Sequence, residues 1–477
     1  MSPEATVLDD IRAHANATPD HPAIAVDERG GRTRTITYSE LVRRMDTLAV
    51  RLRRDGVRPG QRCGLVARQG SGFVEAALAI IATDACVVPI PDDHTGAVLD
   101  AFAARSRLHH LVAEADDFAV RDLGDVPSVD GAGDEHFRAL RPAYLRFTSG
   151  TTSERKGVVI GHDAIRARLA AANRGLEIGP EDRILWLLPM AHHFVVSILL
   201  YLRYGATLLL PASSLARDVL DFSAREGATV FYASPYHCNL LAKDTSEQGL
   251  DGVRLAISTA EGLRREIADR FAARFGLPLV QALGIIEVGL SVVNLERAAE
   301  KPEALGRPLP DYDVWLRAED GKALLAPGSP ERTGEICIRG PGLFDAYLDP
   351  WTPSREILEP DGFRTGDQGW FDADGDLFLA GRRKNRISMA GMKFFSEEVE
   401  AVLDTHPAVR VSRVSAREHA HLGEIPVAEI VPEDPNAPPD RKTLSAFCRE
   451  QLATYKIPRE FRVVDDLELT PTGKLRR

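Results

Sequence analysis

The sequence predicts an α/β protein with a large N-terminal domain and a smaller α+β C-terminal one, on three observations. Helix-like and strand-like stretches alternate through the first two thirds of the chain. Short β-rich segments set off by Gly, Pro and Asp take over from about Arg332, and a compact tail of mixed helix and strand follows Lys384. A chain of 477 residues is also too long for one ordinary domain, since domains average about 150 residues.

The elements follow in order. TYSELVRRMDTLAVRLRRDG carries apolar residues at helical spacing, RCGLVA reads as a strand, and SGFVEAALAIIATDA reads as a second helix. ATLLLP and ATVFYAS are short apolar strands, and REIADRFAARFG is a helix that ends on Gly276. Parallel sheets covered by helices are the natural product of such alternation. The turn-rich segment Gly124 to Phe137 reads as an exposed loop. GEICIRG and DLFLAG belong to a smaller sheet or barrel-like element, and the DADGD run beside them lacks calcium-loop spacing and reads as a hairpin turn. Beyond GRRKN come a helix at SEEVEAVLDTH, N-capped by Ser396, a proline-rich turn at PEDPNAPPD and a helix at RKTLSAFCREQLATY. The domains are therefore expected at 1–383 and 384–477.

Composition excludes several classes of function. With 70 acidic and 59 basic residues the net charge is -11, which argues against a surface that gathers nucleic acid. The longest strongly apolar run, Phe194 to Leu202, is far shorter than the roughly 20 residues that cross a bilayer. The first residues carry neither a basic start nor an apolar core, so a cytoplasmic location is expected. Five widely spaced cysteines without CxxC pairing read as reduced core thiols. No GxSxG elbow or HExxH pair is present.

The sharpest chemical signal is LRFTSGTTSERKGVVIGH. Thr148, Ser149, Thr151, Thr152 and Ser153 surround Gly150, and Lys156 and Gly157 follow. Hydroxyls, backbone N–H groups, a glycine that admits close approach and one cation are equipment for gripping polyphosphate. It is not a Walker loop, because Arg155 and Gly157 flank the lysine. The bland alternative for such a run is a solvated turn before the strand GVVI.

The segment resembles the phosphate loop of the ANL superfamily of adenylate-forming enzymes, usually written [YF]TSG[ST]TGxPKG. Ser153 stands at its second glycine and Arg155 at its proline. Further motifs resemble the same family in the same order, from near Leu8 to the C-terminus. LPMAHHF places His192 at the histidine lining the acyl pocket, with His193 after it where aryl-acid enzymes often carry asparagine. QALGIIEVG resembles QGYGMTE: Glu287 takes the acidic position that meets magnesium, and Gly284 lies beside the substrate. Leu283 replaces the aromatic residue near adenine, and Ile286 replaces the threonine that contacts the α-phosphate. In FRTGDQGWFDADGDLFLAGRRKNRI, Asp367 would accept from the ribose hydroxyls and Arg382 would contact ribose or phosphate. Lys384 falls at the hinge, Gly391 on the pantetheine path, and Lys474 at the catalytic lysine.

The resemblance implies ATP and magnesium as cofactors, a mobile C-terminal domain, and adenylation of a small carboxylic acid. An aryl acid is favoured because the LPMAH run looks like stand-alone aryl-acid activating enzymes, while the lack of an FDAS-type aspartate argues against an α-amino acid. His192, Glu287 and Lys474 are the implied catalytic residues. Thr148, Ser149, Gly150, Thr151, Thr152, Lys156, Asp367 and Arg382 are implied to hold the nucleotide, and His192, His193 and Gly284 the acid. With no carrier domain after Arg477, the acyl group is expected to pass to CoA or to a separate phosphopantetheinyl carrier protein. No nucleic-acid or membrane partner is expected. The altered Leu283 and Ile286 motivate the competing reading, a nucleotide-binding protein of this fold with weak or lost ligase activity.

Overall fold

The computed structural model describes residues 5–28, 31–92, 94–129, 131, 134–147, 156–318, 321, 323–324, 328, 330, 332–358, 362–389, 392–419 and 421–468. They divide into two compact units, one of residues 1–302, 308–313 and 339–363, the other of residues 303–307, 314–338 and 364–477.

The first unit contains two α/β sheets. In one, the strands Leu279–Ile285, Leu255–Ser258, Val230–Ala233, Arg183–Trp186, Thr207–Leu210 and Pro22–Glu28 run parallel, with Gly289–Val293 and Arg32–Thr37 antiparallel at the two ends. In the other, Pro142–Phe147, Cys86–Ile90, Arg62–Val66 and His110–Ala113 are parallel, flanked by the antiparallel Gly157–Gly161 and Val120–Asp122. The central strands are buried on both faces, as continuous apolar runs require. The expected helices are Tyr38–Arg54, capped by the Thr37 hydroxyl, then Ser71–Ala82, and Arg265–Phe275, closed by Gly276 at φ +65°.

The segment Gly124 to Phe137 is largely exposed, as the sequence reading expects, but part of it is built into the core. Val129, Asp134 and Phe137 are buried, and Asp134 Oδ2 lies 2.8 Å from Nη1 of the fully buried Arg62, whose guanidinium also stacks on Phe137. A charge on the first residue of a core strand needs a partner, and this turn supplies it. Among the described residues no helix is long and apolar enough to cross a membrane. All five cysteines are free and buried.

The second unit contains a sheet in the order Ala323–Leu324, Asp313–Arg317, Gly334–Arg339, Phe363–Phe371, Leu377–Arg382 and Ala304–Pro308, with its two outer pairs and the Phe363–Phe371/Leu377–Arg382 pair antiparallel, the β-rich element expected. DADGD is its hairpin turn: the backbone N–H groups of Asp374 and Asp376 donate to Asp372 Oδ1 at 3.0 and 2.9 Å. The three carboxylates lie within 4.8 Å of one another, and that of Asp376 pairs with Arg307 at 3.3 Å. A further sheet of Met392–Phe395, Arg386–Met389, Gly423–Pro432, Val409–His419 and Glu460–Val463 shares a core with the helices Ser396–Leu403 and Arg441–Gln451. The first helix is capped one residue earlier than expected. Phe395 is its N-cap, and its N–H donates to the Glu398 carboxylate at 2.9 Å, whereas Ser396 is the first helical residue. An acidic side chain that reaches back to the cap competes well with a hydroxyl.

Candidate active site

Of the phosphate loop, Thr148, Ser149, Gly150, Thr151, Thr152, Ser153 and Arg155 lie outside the described residues, as do Gly391 and Lys474. The strands that lead into and out of the loop are described. Phe147 faces Gly157 across an antiparallel pair, and a Cβ on Gly157 would come within 2.9 Å of the tip of the Phe147 ring and 3.1 Å of Leu348 Cβ, so these side chains pack over the glycine where a larger residue would displace them.

Lys156 leaves the loop with its ammonium 4.6 Å above the ring of Tyr347, which lies on the strand Ala346–Tyr347 paired with Gly157–Gly161. The Tyr347 hydroxyl donates to Glu287 Oε1 at 3.3 Å. Glu287 sits on the turn of the hairpin Leu279–Ile285/Gly289–Val293, which Gly289 closes at φ +92°. Cation, phenol and carboxylate thus lie in contact beside the loop. Burial pushes the Glu287 carboxyl above the usual carboxylate range; its own N–H, the Tyr347 hydroxyl and the guanidinium charges of Arg146 and Arg168 oppose that rise without cancelling it. A divalent cation would favour the ionised form that burial disfavours, so the donor chemistry fits magnesium.

Arg168 supports this turn from the core. It lies on the helix His162–Leu176, is 1% exposed, and donates to the carbonyls of Gly342, Ile286 and Glu287 at 2.8, 2.8 and 3.4 Å. Burial lowers its pKa to about 10, so it stays cationic at neutral pH. One guanidinium therefore joins three segments: the helix after the phosphate loop, the turn carrying Glu287, and the stretch leading to Tyr347. Within that stretch the Phe344 N–H donates to the Glu287 carbonyl at 2.8 Å. Sequence reading missed both Arg168 and Tyr347. A charged residue on the same helix face as Ile165, Leu169 and Ala172 was the available signal for Arg168.

His192 and His193 end the short helix Met190–His193 and lead into a π-helical turn, Phe194–Ile198. Such turns re-aim side chains and recur at functional sites. Arg146 Nη1 donates to the His192 carbonyl. His193 stands edge-on to Trp186 and Tyr232, with ring centroids 6.0 and 6.4 Å away, while those two rings stack on each other at 5.1 Å and 8°. Leu283 and Ile286 are buried, 9% and 7% exposed, and Gly284 between them is exposed on its strand.

In the second unit Asp367 and Arg382 are cross-strand partners, and Arg382 Nε lies 3.1 Å from Asp367 Oδ1. The two residues expected to meet the nucleoside thus stand side by side. Lys384 occupies the turn Arg383–Asn385 and lines a cleft of 410 Å³ with Arg386, Arg413 and Glu429. The Arg413–Glu429 ion pair, 2.7 Å long, lies along that cleft.

The AMP-binding enzyme family matches residues 11–348 and the AMP-binding enzyme C-terminal domain matches residues 398–474. The chain belongs to this family, the ANL superfamily of adenylate-forming enzymes, within its AMP-forming acid–thiol ligases. It is 32% identical over 342 residues to a sulfoacetate–CoA ligase of Cupriavidus necator, a match covering 70% of this chain and 66% of that enzyme. It is 26% identical over 487 residues to the 2-succinylbenzoate–CoA ligase of Bacillus subtilis, covering 98% and 96%. The structure of o-succinylbenzoate CoA synthetase from Bacillus subtilis with its acyl-adenylate superposes with a TM-score of 0.83 at 25% identity, over 98% of this chain and 97% of that one.

Proposed function

We propose that the protein activates a small carboxylic acid, an aryl acid favoured, with ATP and then passes the acyl group to the pantetheine thiol of CoA or of a separate carrier protein. The observation that carries the reading is the contact of Lys156, Tyr347 and Glu287 beside the phosphate-loop strands. In the first step an oxygen of the acid carboxylate bonds to the α-phosphorus, and the bond to the bridging oxygen breaks, with its electron pair leaving on pyrophosphate. The obstacle is the approach of two anions, so the work of the protein is to place positive charge.

In this reading Lys156 and the hydroxyls of Thr148, Ser149, Thr151 and Thr152, with the backbone at Gly150, hold the departing phosphates. Lys474 bridges carboxylate and α-phosphate, and Asp367 and Arg382 fix the nucleoside. Magnesium, when bound at Glu287, would neutralise phosphate charge. His192 and Gly284 border the acid. Behind His193 the wall is aromatic, with Trp186 and Tyr232 buried and stacked on each other, surroundings that suit an aryl ring better than a charged one. In the second step the thiol sulfur attacks the acyl carbon and AMP leaves; Lys384 serves as the hinge and Gly391 lines the path of the thiol.

A panel of benzoates, short aliphatic acids and sulfonated acids in a pyrophosphate-release assay tests the proposal. Release that depends on an aryl acid is expected, followed by its thioester when CoA or a carrier is added. Tight ATP binding with no acid-dependent release across the panel would replace the ligase by a nucleotide-binding protein, the outcome that the aliphatic Leu283 and Ile286 favour.

A further inference from the structure

The strand Pro142–Phe147 is apolar apart from Tyr144 and Arg146, and it ends one residue before the phosphate loop. Side chains alternate along a strand. Phe147 packs on Phe102, with rings 5.5 Å apart, while Tyr144 and Arg146 share the opposite face against Met190–His193. There the Tyr144 hydroxyl donates to the Ala191 carbonyl at 3.3 Å and Arg146 Nη1 donates to that of His192. These bonds use little of the guanidinium. Its Nε is buried without a partner, while the residue as a whole is only partly buried and its bond to the His192 carbonyl uses Nη1 alone. Arginine keeps its charge even where burial lowers its pKa, as it does here. The Arg146 cation therefore stands two residues before Thr148, against the carbonyl of the pocket histidine, and within electrostatic reach of Glu287.

Ile286, itself buried, has no hydroxyl to offer where the resemblance expects one on the α-phosphate. A phosphate oxygen deprived of that donor needs another, and a guanidinium is the side chain best shaped to supply one. We propose that Arg146 is a further catalytic residue of the adenylation step, its uncommitted edge binding the α-phosphate oxygens in place of the hydroxyl absent at Ile286. The assignment rests on the ligase reading above. Arg146 then acts on the non-bridging oxygens: as the carboxylate oxygen bonds to the α-phosphorus and pyrophosphate leaves with its electron pair, its charge lowers the repulsion between the two anions.

The test compares AMP, which carries the α-phosphate, with adenosine, which lacks it, by calorimetric titration of the full chain without magnesium. Arg146→Gln keeps an N–H for the His192 carbonyl but removes the charge. It should weaken AMP about tenfold to a hundredfold, the loss of one charged hydrogen bond, and leave adenosine unchanged. Arg146→Lys, which keeps the charge, should lose less. Equal AMP affinity in wild type and Arg146→Gln overturns the proposal. So does a joint loss of AMP and adenosine affinity with a lowered unfolding temperature, which would make Arg146 a brace for Met190–His193. Acid-dependent pyrophosphate release by the wild type is measured in parallel. Its absence sinks the ligase reading, while the AMP–adenosine comparison still decides whether Arg146 meets the phosphate.

Discussion

Glu287 shows how one residue can be held between two protonation states. Burial favours its neutral form, while the Tyr347 hydroxyl and the guanidiniums of Arg146 and Arg168 favour its anion. The net shift is upward, so the folded protein gives up the Glu287 proton at a higher pH than an ordinary glutamate, which titrates near pH ~4.3. In the proposed site, a metal bound at Glu287 would have to displace that proton. Magnesium affinity is therefore expected to fall as pH drops through the raised pKa, by about tenfold per unit once the protonated form predominates. Manganese titrations followed by electron paramagnetic resonance, repeated from pH 8 downward, measure this directly. Glu287→Gln should bind the ion weakly at every pH and lose the slope; an unchanged slope in that variant would remove Glu287 from the metal site. Arg168 belongs to the same scale. Its three carbonyl contacts satisfy groups that an apolar replacement would strand, so Arg168→Met should destabilise the protein by roughly 2–3 kcal/mol in urea unfolding.

At the scale of elements, periodicity and turn chemistry located several helices and strands, because a helix such as Tyr38–Arg54 needs only its own apolar stripe and its own cap. What stayed hidden depended on distant residues. Arg168 reaches carbonyls 118 and 174 positions away, and Asp134 meets Arg62 across 72 positions, so local patterns carry no trace of either pairing. That is why Gly124 to Phe137 reads as a surface loop although it closes over a buried cation. The Asp134 carboxyl is pushed up by burial, but the Val129 N–H, the Arg62 guanidinium and the Ser128 hydroxyl outweigh burial and hold it below the usual range. A depressed pKa contributes stability above the unfolded value, near pH ~3.9, and loses it as pH falls toward the folded one. Asp134→Asn leaves Arg62 buried without its counter-charge and should cost roughly 3–5 kcal/mol at neutral pH. The gap between wild type and variant in urea midpoints should stay level from pH 8 to about pH 5 and close below about pH 4. A gap that vanished near pH ~6.5, the ordinary histidine value, would point to a histidine in place of this pair.

At the scale of the whole molecule, the two proposed half-reactions ask for different arrangements of the chain. The motifs for both were legible because they are short and ordered in sequence, whereas Lys474 stands three residues from the last position, where a lysine by itself is usually only a solvated charge. Its proposed role lies wholly in the first half-reaction. Lys474→Ala should lower acid-dependent ATP–pyrophosphate exchange by about 10²- to 10³-fold, the loss expected from one cation at the transition state, while leaving the conversion of a supplied acyl-adenylate to thioester near normal. The hinge predicts the opposite pattern. Lys384 lies in the short turn Arg383–Asn385 between the strands Leu377–Arg382 and Arg386–Met389, where proline would remove an N–H and fix one torsion. If rotation about this turn admits the thiol, Lys384→Pro should retain pyrophosphate exchange and slow thioester formation by about 10²-fold, the scale of a misplaced reacting group. Single-turnover measurement of both steps in both variants separates the roles. Equal losses in the two steps would mean that neither residue divides the reaction, and that adenylation and thiol transfer proceed from a single arrangement of the chain.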